Sequence, residues 1–514
     1  MKAKALLLIP FLIIMGCQTE PSYDILITGG QMIDGQGTTP FIASIAIKHD
    51  SIVLITDMAI DPQLGRKHID VSGYVISPGF IDPHTHATAD LNDTVRNANL
   101  NYLKQGVTTV FVGNDGRSAL DIDQQFETWE QQGIGTNAAT YIGHGTVRSK
   151  VMGMRNESPT PEEINEMTQL VKQGMEAGAL GLSSGLYYPP ASYSSTAEVI
   201  KLAKVAAQYN GHYDTHMRDE SSYNIGLIGA VEETIEIAQA ANIHGHIAHI
   251  KCLGVDVWHQ SDDVIQVVEE AQQAGLLITA DQYPYNASGT GISSALFPRW
   301  FLADGQTRFD NPMIMNKLET DIQENIRKRG GADRLLLTHA KGENEQYIGL
   351  NLAQVASQLG QHEVAAAITL FKNGGAGVGS FNMIEDDIIN FMKQPWVMTG
   401  SDGSSGHPRK YGSFPKKMRE YVMEKNVLAL EEMVNRSTSL PAKTFGLKKR
   451  GVLTVGAFAD IIVFKPTEVT DKATFENPTA LAEGMHYVIV NGQIVIDQGN
   501  YTGALAGRGL KNNN

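Results

Sequence analysis

Short apolar runs that end in histidine or aspartate recur along the middle of this 514-residue chain. Tyr74 to Ile81 leads into Asp82-Pro83-His84-Thr85-His86, Tyr213-Asp214-Thr215 ends at His216, and Ile247-Ala248 ends at His249. Leu276 to Ala280 ends at Asp281, and Trp396 to Ser401 ends at Asp402. Runs of this length bounded by turn residues read as strands buried on both faces. Between them apolar positions recur at helical spacing. The clearest helix opens at Thr160-Pro161-Glu162-Glu163: Thr160 caps it, Pro161 suits the first helical position, and Glu163 completes a capping box. Ile164, Met167, Leu170, Val171 and Met175 form its apolar stripe, and Gly178 stops it. Further helices are expected over 196–209, 227–240 and 262–274.

His216 and His249 are 33 residues apart (249 − 216), and His249 and Asp281 are 32 apart (281 − 249). A strand, a helix and two loops need about that length. The alternation predicts a parallel sheet. Polar residues at so many strand C-termini favour a closed (β/α)8 TIM-like barrel over an open doubly wound sheet, because a barrel's active site lies on that face. Candidate strands lie near 76–82, 107–113, 138–143, 179–184, 212–216, 244–249, 276–281 and 396–402. The run 334–340 is a ninth, one more than a barrel needs. The barrel is expected over 76–447, with an insertion or lid around 287–332, where barrel-like pattern is lacking. Residues 22–75 and 448–505 alternate as short strands, with a hairpin signal at Asn491-Gly492. They predict one small β-sandwich built from both chain ends.

His84 and His86 point the same way from a strand end, since residues i and i+2 share a face. Two imidazoles side by side make half a metal site. His216, His249, Asp281 and Asp402 offer further donors at successive strand ends. An amide resists water at neutral pH. A bound metal polarises the carbonyl and lowers the pKa of its water, and a carboxylate such as Asp402 takes the proton and later passes one to the leaving nitrogen. Lys251 sits two residues past His249, and Arg409 offers a fork that suits a carboxylate.

His84-Thr85-His86, the stretch from Thr215 to Asp219 and Ser401-Asp402-Gly403 resemble the amidohydrolase superfamily. More narrowly, the chain resembles the N-acyl-D-amino-acid deacylase (D-aminoacylase) family. Gly143-His144-Gly145-Thr146-Val147-Arg148, Gly185-Leu186-Tyr187-Tyr188-Pro189-Pro190, His249-Ile250-Lys251 and His407-Pro408-Arg409-Lys410-Tyr411-Gly412 carry the same likeness. It spans about residue 24 to 500.

The resemblance implies a zinc hydrolase holding one or two ions. It cleaves N-acyl-D-amino acids, or dipeptides with a C-terminal D-residue, by attack of a metal-bound hydroxide. By it, His84 and His86 serve one metal position and His216 and His249 the other. Asp402 is the general base, and Tyr188, Lys251 and Arg409 hold the substrate carboxylate. The family usually carries cysteine in a Gly-Asn-Cys-Gly stretch. Here Gly113-Asn114-Asp115-Gly116 puts Asp115 in that ligand position, and this leaves metal identity and count open. No lysine ends the fourth strand near Ser183 to Leu186, so the carboxylated lysine common elsewhere in the superfamily is absent, as in this family. His144 is read as a brace of the barrel mouth, and Arg148 is given no role. The competing functions are a cyclic-amide hydrolase or L-dipeptidase on the same fold, and a binding protein with a relic site.

Composition narrows the choice. Hydrophobic residues at 42% and charged residues at 19% describe a globular enzyme, and a net charge of −15 argues against nucleic-acid partners. Lys2, Lys4 and the apolar stretch from Ala5 to Ile14 read as a signal peptide over residues 1–16. Gly16-Cys17 resembles a bacterial lipoprotein processing site, with Cys17 acylated as the first mature residue; the alternative is ordinary secretion. The expected location is the cell envelope, lipid-anchored on the periplasmic face of the outer membrane, with no other membrane contact. Cys252 is the only other cysteine, so one mature chain has no disulfide to form.

Overall fold

The computed structural model describes residues 21–303 and 309–512. The signal-peptide segment and Cys17 lie outside the described residues. At the centre stand eight parallel strands: β1 (Phe80–Asp82), β2 (Val107–Val112), β3 (Asn137–Thr140, continued by Ile142–Gly143), β4 (Gly181–Gly185), β5 (His212–His216), β6 (His244–Ile247), β7 (Ile278–Gln282) and β8 (Val397–Thr399). Each pairs with the next in order, and β7 pairs with β8. The ring closes where the Asp402 N–H donates to the His84 carbonyl at 2.9 Å and Thr85 bridges Gly403. That closure couples the strand end bearing the paired histidines to the one bearing Asp402. The fold is therefore the expected (β/α)8 barrel.

Strand composition explains the buried position. Val107-Thr108-Thr109-Val110-Phe111-Val112 is buried throughout and rich in β-branched residues, as a strand covered on both faces must be. The helix Pro161–Glu176 carries the capping box: the Glu163 N–H donates to Thr160 Oγ1, and the Thr160 N–H donates to the Glu163 carboxylate. Met167, Val171, Gly174 and Met175 are buried beneath it. A Cβ on Gly174 would lie 2.9 Å from Ile142 Cβ, so glycine lets this helix seat directly on β3. At the N-terminal end of the barrel, Phe445 plugs the floor against Phe111 and the rings of His212, His244 and His246.

The ninth candidate strand is not in the barrel. Leu335–Ala340 pairs antiparallel with Ala376–Ser380, which pairs with Ser288–Gly291. This three-stranded sheet and the helices around it, including Ile292–Leu296 and Pro312–Lys328, enclose a separate apolar core. The excursion expected around 287–332 thus runs on through Ser380. Local apolar pattern places a strand but does not say which sheet receives it.

Both chain ends join one mixed nine-stranded sheet, in the order 500–501, 493–497, 485–490, 461–464, 75–78, 23–32, 41–48 and 51–56, with 65–70 also paired to 23–32. It is continuous in hydrogen bonding, not two separate sheets. It wraps one core that draws Ile25, Ile45 and Ile76 from the N-terminal part and Ile461, Val463 and Ile489 from the C-terminal part. The strand 75–78 enters the barrel through Gly79. No helix among the described residues is long and apolar enough to cross a membrane.

Candidate metal centre

Six residues from five strand ends meet at the C-terminal mouth of the barrel. His84, His86, Asp115 and Asp402 form one group whose donor atoms lie within 4.8 Å of one another, and Asp115, His216 and His249 form a second. Asp115 is common to both. Its Oδ1 lies 3.4 Å from His84 Nε2, 3.5 Å from His249 Nε2 and 3.7 Å from His216 Nδ1. Its Oδ2 lies 3.4 Å from His86 Nε2. Ligands about 2.1 Å from a tetrahedral ion stand about 3.4 Å apart, so these are the spacings a shared cation requires. His216 Nδ1 and His249 Nε2 approach to 2.8 Å, a hydrogen-bond distance.

The backbone pays conformational energy to aim these side chains. Asp115, His249 and Asp402 have φ of 56°, 37° and 45°, in the left-handed region that L-residues populate at a cost of about 1–2 kcal/mol. Such outliers concentrate where side-chain placement matters more than stability. Gly185 accommodates the turn: a Cβ there would stand 2.3 Å from the Asp115 carbonyl oxygen.

The donors suit a divalent cation. Both ring nitrogens of buried His84, Nε2 of His216 and Oδ1 of Asp115 have no hydrogen-bond partner. Leaving such atoms unmatched costs about 1–3 kcal/mol each, whereas imidazole and carboxylate together are a zinc-type donor set. Charge points the same way. Burial opposes charging His86, yet Asp115 and Asp402 push its pKa up to about 9. Burial likewise opposes ionising Asp115, but His84 and the other rings hold its carboxyl well below the usual range. The carboxylates that draw a proton onto His86 are the charge a cation there would balance.

Outer contacts orient the rings. His249 Nδ1 lies 3.0 Å from Glu220 Oε1 and 2.6 Å from Lys251 Nζ, contacts that fix the ring with Nε2 facing Asp115. Asp281 Oδ2 lies 3.1 Å from His246 Nε2 and 3.9 Å from His84 Nδ1. Asp82 accepts from the N–H groups of His84 and Ser401, tying β1 to β8 beneath the site. Burial pushes the Asp82 carboxyl up to about 7.

The structure brings Lys251, Arg409 and Tyr188 to the same cavity, each with partners the sequence did not disclose. Lys251 Nζ lies 2.5 Å from Glu220 Oε1, and Arg409 Nη1 lies 2.8 Å from Asp402 Oδ2. Tyr188 packs its ring against His216 at 4.7 Å and forms a wall of the cavity. Tyr283 was missed. Its ring lies 4.5 Å from the Arg409 guanidinium and 5.7 Å from Lys251 Nζ, and its buried hydroxyl has no partner. A signal existed: Tyr283 follows Asp281 by two positions, as Lys251 follows His249. Glu220 was missed too, because an acid beyond a strand end reads as loop surface. His144 and Arg148 converge on buried Glu198 at 3.0 and 2.5 Å, a brace between two helices.

A sequence model of the amidohydrolase family matches residues 67–319 and 354–496. D-aminoacylase from Alcaligenes xylosoxydans xylosoxydans is 33% identical, covering 95% of this chain and 97% of that protein. N-acyl-D-glutamate deacylase from the same organism is 31% identical, covering 93% and 95%. N-acyl-D-glutamate deacylase from Bordetella bronchiseptica, solved with zinc and a phosphonate mimic of the tetrahedral intermediate, superposes with a TM-score of 0.83 at 30% identity. It covers 95% of this chain and 100% of that one.

Proposed function

This chain belongs to the amidohydrolase family, and we propose that it is a zinc-dependent deacylase of N-acyl-D-amino acids, acting on a linear amide. The observation that carries this reading is the pair of donor groups sharing Asp115, with Asp402, Lys251 and Arg409 in the same cavity. Zinc held by His84, His86, Asp115, His216 and His249 supplies Lewis acidity and an acidified water. Asp402, on the adjoining strand end, takes a proton from the attacking water and returns one to the leaving nitrogen. Arg409, Tyr283 and Lys251 hold the substrate α-carboxylate, which fixes the scissile carbonyl against the donors. Ser288, Gly289, Thr290 and Arg329 of the excursion line the cavity beside these donors.

A hydantoin or dihydropyrimidine ring has no free α-carboxylate, so a cavity with this clamp favours open-chain substrates over those rings. The preference for the D-hand follows from the relatives. A panel of N-acetyl-D-amino acids, N-acetyl-L-amino acids, L-dipeptides and dihydropyrimidine-type cyclic amides tests this. Hydrolysis of the N-acetyl-D series is expected to lead by at least about 10²-fold in kcat/KM, the discrimination available when a wrong hand leaves buried polar groups unpaired. Faster turnover of the L or cyclic series would reject the assignment.

We also propose that Cys17 carries a lipid anchor in the cell envelope, on the strength of the Lys2 to Cys17 pattern alone. Cys17→Ala is expected to abolish metabolic labelling with a radioactive fatty acid and to shift the protein out of the lipid-anchored membrane fraction. Undiminished labelling of that variant would refute the anchor.

A further inference from the structure

One cation in the active-site cavity lacks a counter-ion. Arg329 lies just beyond the lid helix Pro312–Lys328 and is 1% exposed, yet it lines the same cavity as His86, Lys251 and Asp402. Its Nε donates to the Ala295 carbonyl at 3.1 Å, and one terminal nitrogen donates to the Tyr187 hydroxyl at 3.3 Å. The other terminal nitrogen, Nη1, is buried with no partner. Among the described residues no carboxylate is ion-paired with it. The remaining cations are balanced, Lys251 by Glu220 and Arg409 by Asp402.

Two further cations stand around one neighbouring ring. Arg329 lies 5.8 Å from the Tyr223 ring, with Lys328 at 5.3 Å and Arg299 at 5.8 Å from the same ring. Arg299 also covers Tyr187 at 3.6 Å. An arginine cannot shed its proton, so a buried, unmatched guanidinium is costly unless an anion completes it. Its planar fork suits a carboxylate in particular.

We propose that Arg329 is a specificity-determining residue that binds the side-chain carboxylate of an acidic substrate, so that the preferred substrates are N-acyl derivatives of D-glutamate or D-aspartate. This rests on the deacylase reading and deepens it. The substrate then presents two carboxylates. The α-carboxylate meets Arg409, Tyr283 and Lys251, and the side-chain carboxylate meets Arg329 across the cavity. The two side-chain lengths fit one cation at different reach, so glutamate and aspartate are compared directly.

The experiment measures kcat and KM on N-acetyl-D-glutamate, N-acetyl-D-aspartate and N-acetyl-D-leucine for the zinc-loaded parent, Arg329→Met and Arg329→Lys. The parent is expected to favour one acidic substrate over leucine by at least about tenfold, and Arg329→Met to lose about 30-fold or more on that substrate, chiefly through KM. On leucine the same variant should stay within about threefold of the parent, as for a residue that touches only the side chain. Arg329→Lys keeps a charge and should restore part of the acidic activity. Thermal melts of each variant verify folding. Equal losses on all three substrates would make Arg329 a structural strut and overturn the proposal, as would a parent that prefers leucine. A parent that cleaves leucine but neither acid defeats this inference alone, whereas one that cleaves no N-acyl-D-amino acid defeats the deacylase reading beneath it.

Discussion

Asp115→Asn will lose most of its bound metal and with it most of its activity. Asp115 is the one residue common to both donor groups, with four histidine nitrogens 3.4 to 3.7 Å from its oxygens. Asparagine is the informative replacement. It keeps the shape and tolerates the left-handed backbone at φ 56°, where alanine would add strain unrelated to metal. It removes the charge and leaves a neutral amide oxygen as the only donor. If metal activation supplies several kcal/mol of transition-state stabilisation, kcat/KM should fall by about 10²–10⁴. Metal content by elemental analysis should fall alongside, while circular dichroism stays that of the parent. Asp115→Cys, which restores an anionic ligand, should recover metal. Unchanged metal content in Asp115→Asn would show that Asp115 is not a ligand.

The donors at this centre were legible because each breaks an apolar run. His84, His86, His216, His249 and Asp402 are polar residues where a buried strand ends, and a barrel gathers strand ends at one mouth. Asp115 came from a motif and not from pattern, since Gly113-Asn114-Asp115-Gly116 is also an ordinary turn. What stayed hidden is pairing between distant elements. Leu335–Ala340 ends in Thr338-His339 and looks like one more barrel strand, yet its partner is Ala376–Ser380. Nothing local distinguishes the two sheets, because strand pairing is settled by neighbours far along the chain. Tyr283 reads as strand filler and Arg329 as a helix-end cation, a placement that usually means solvent. Only the excursion over the mouth turns Arg329 inward, and that geometry depends on the separate core around Leu318, Ile322 and Leu337.

Asp402 and Arg409 will behave as one unit. A base at Asp402 and a carboxylate anchor at Arg409 would act separately on turnover and binding, but Arg409 Nη1 lies 2.8 Å from Asp402 Oδ2 and both side chains are buried. The guanidinium outweighs burial and holds the Asp402 carboxyl far below the usual range. Asp402→Asn removes the proton acceptor and should lower kcat by about 10²–10⁴ with a smaller change in KM. Arg409→Met removes a carboxylate anchor and leaves a buried acid unmatched, at a cost of about 2–5 kcal/mol in kcat/KM, and it should lower kcat as well as raise KM because Asp402 loses the contact that fixes its position. The double variant should then retain more activity than the product of the two single losses, with a coupling of about 0.5–3 kcal/mol. Steady-state kinetics of the four proteins on one N-acetyl-D-amino acid, at constant zinc, supply the cycle. Additive losses would mean that the ion pair contributes nothing in the working enzyme. An Asp402→Asn variant with parental kcat would remove Asp402 from the proton transfer altogether, and the base would have to be sought among the other carboxylates of the mouth, Glu220 and Asp281.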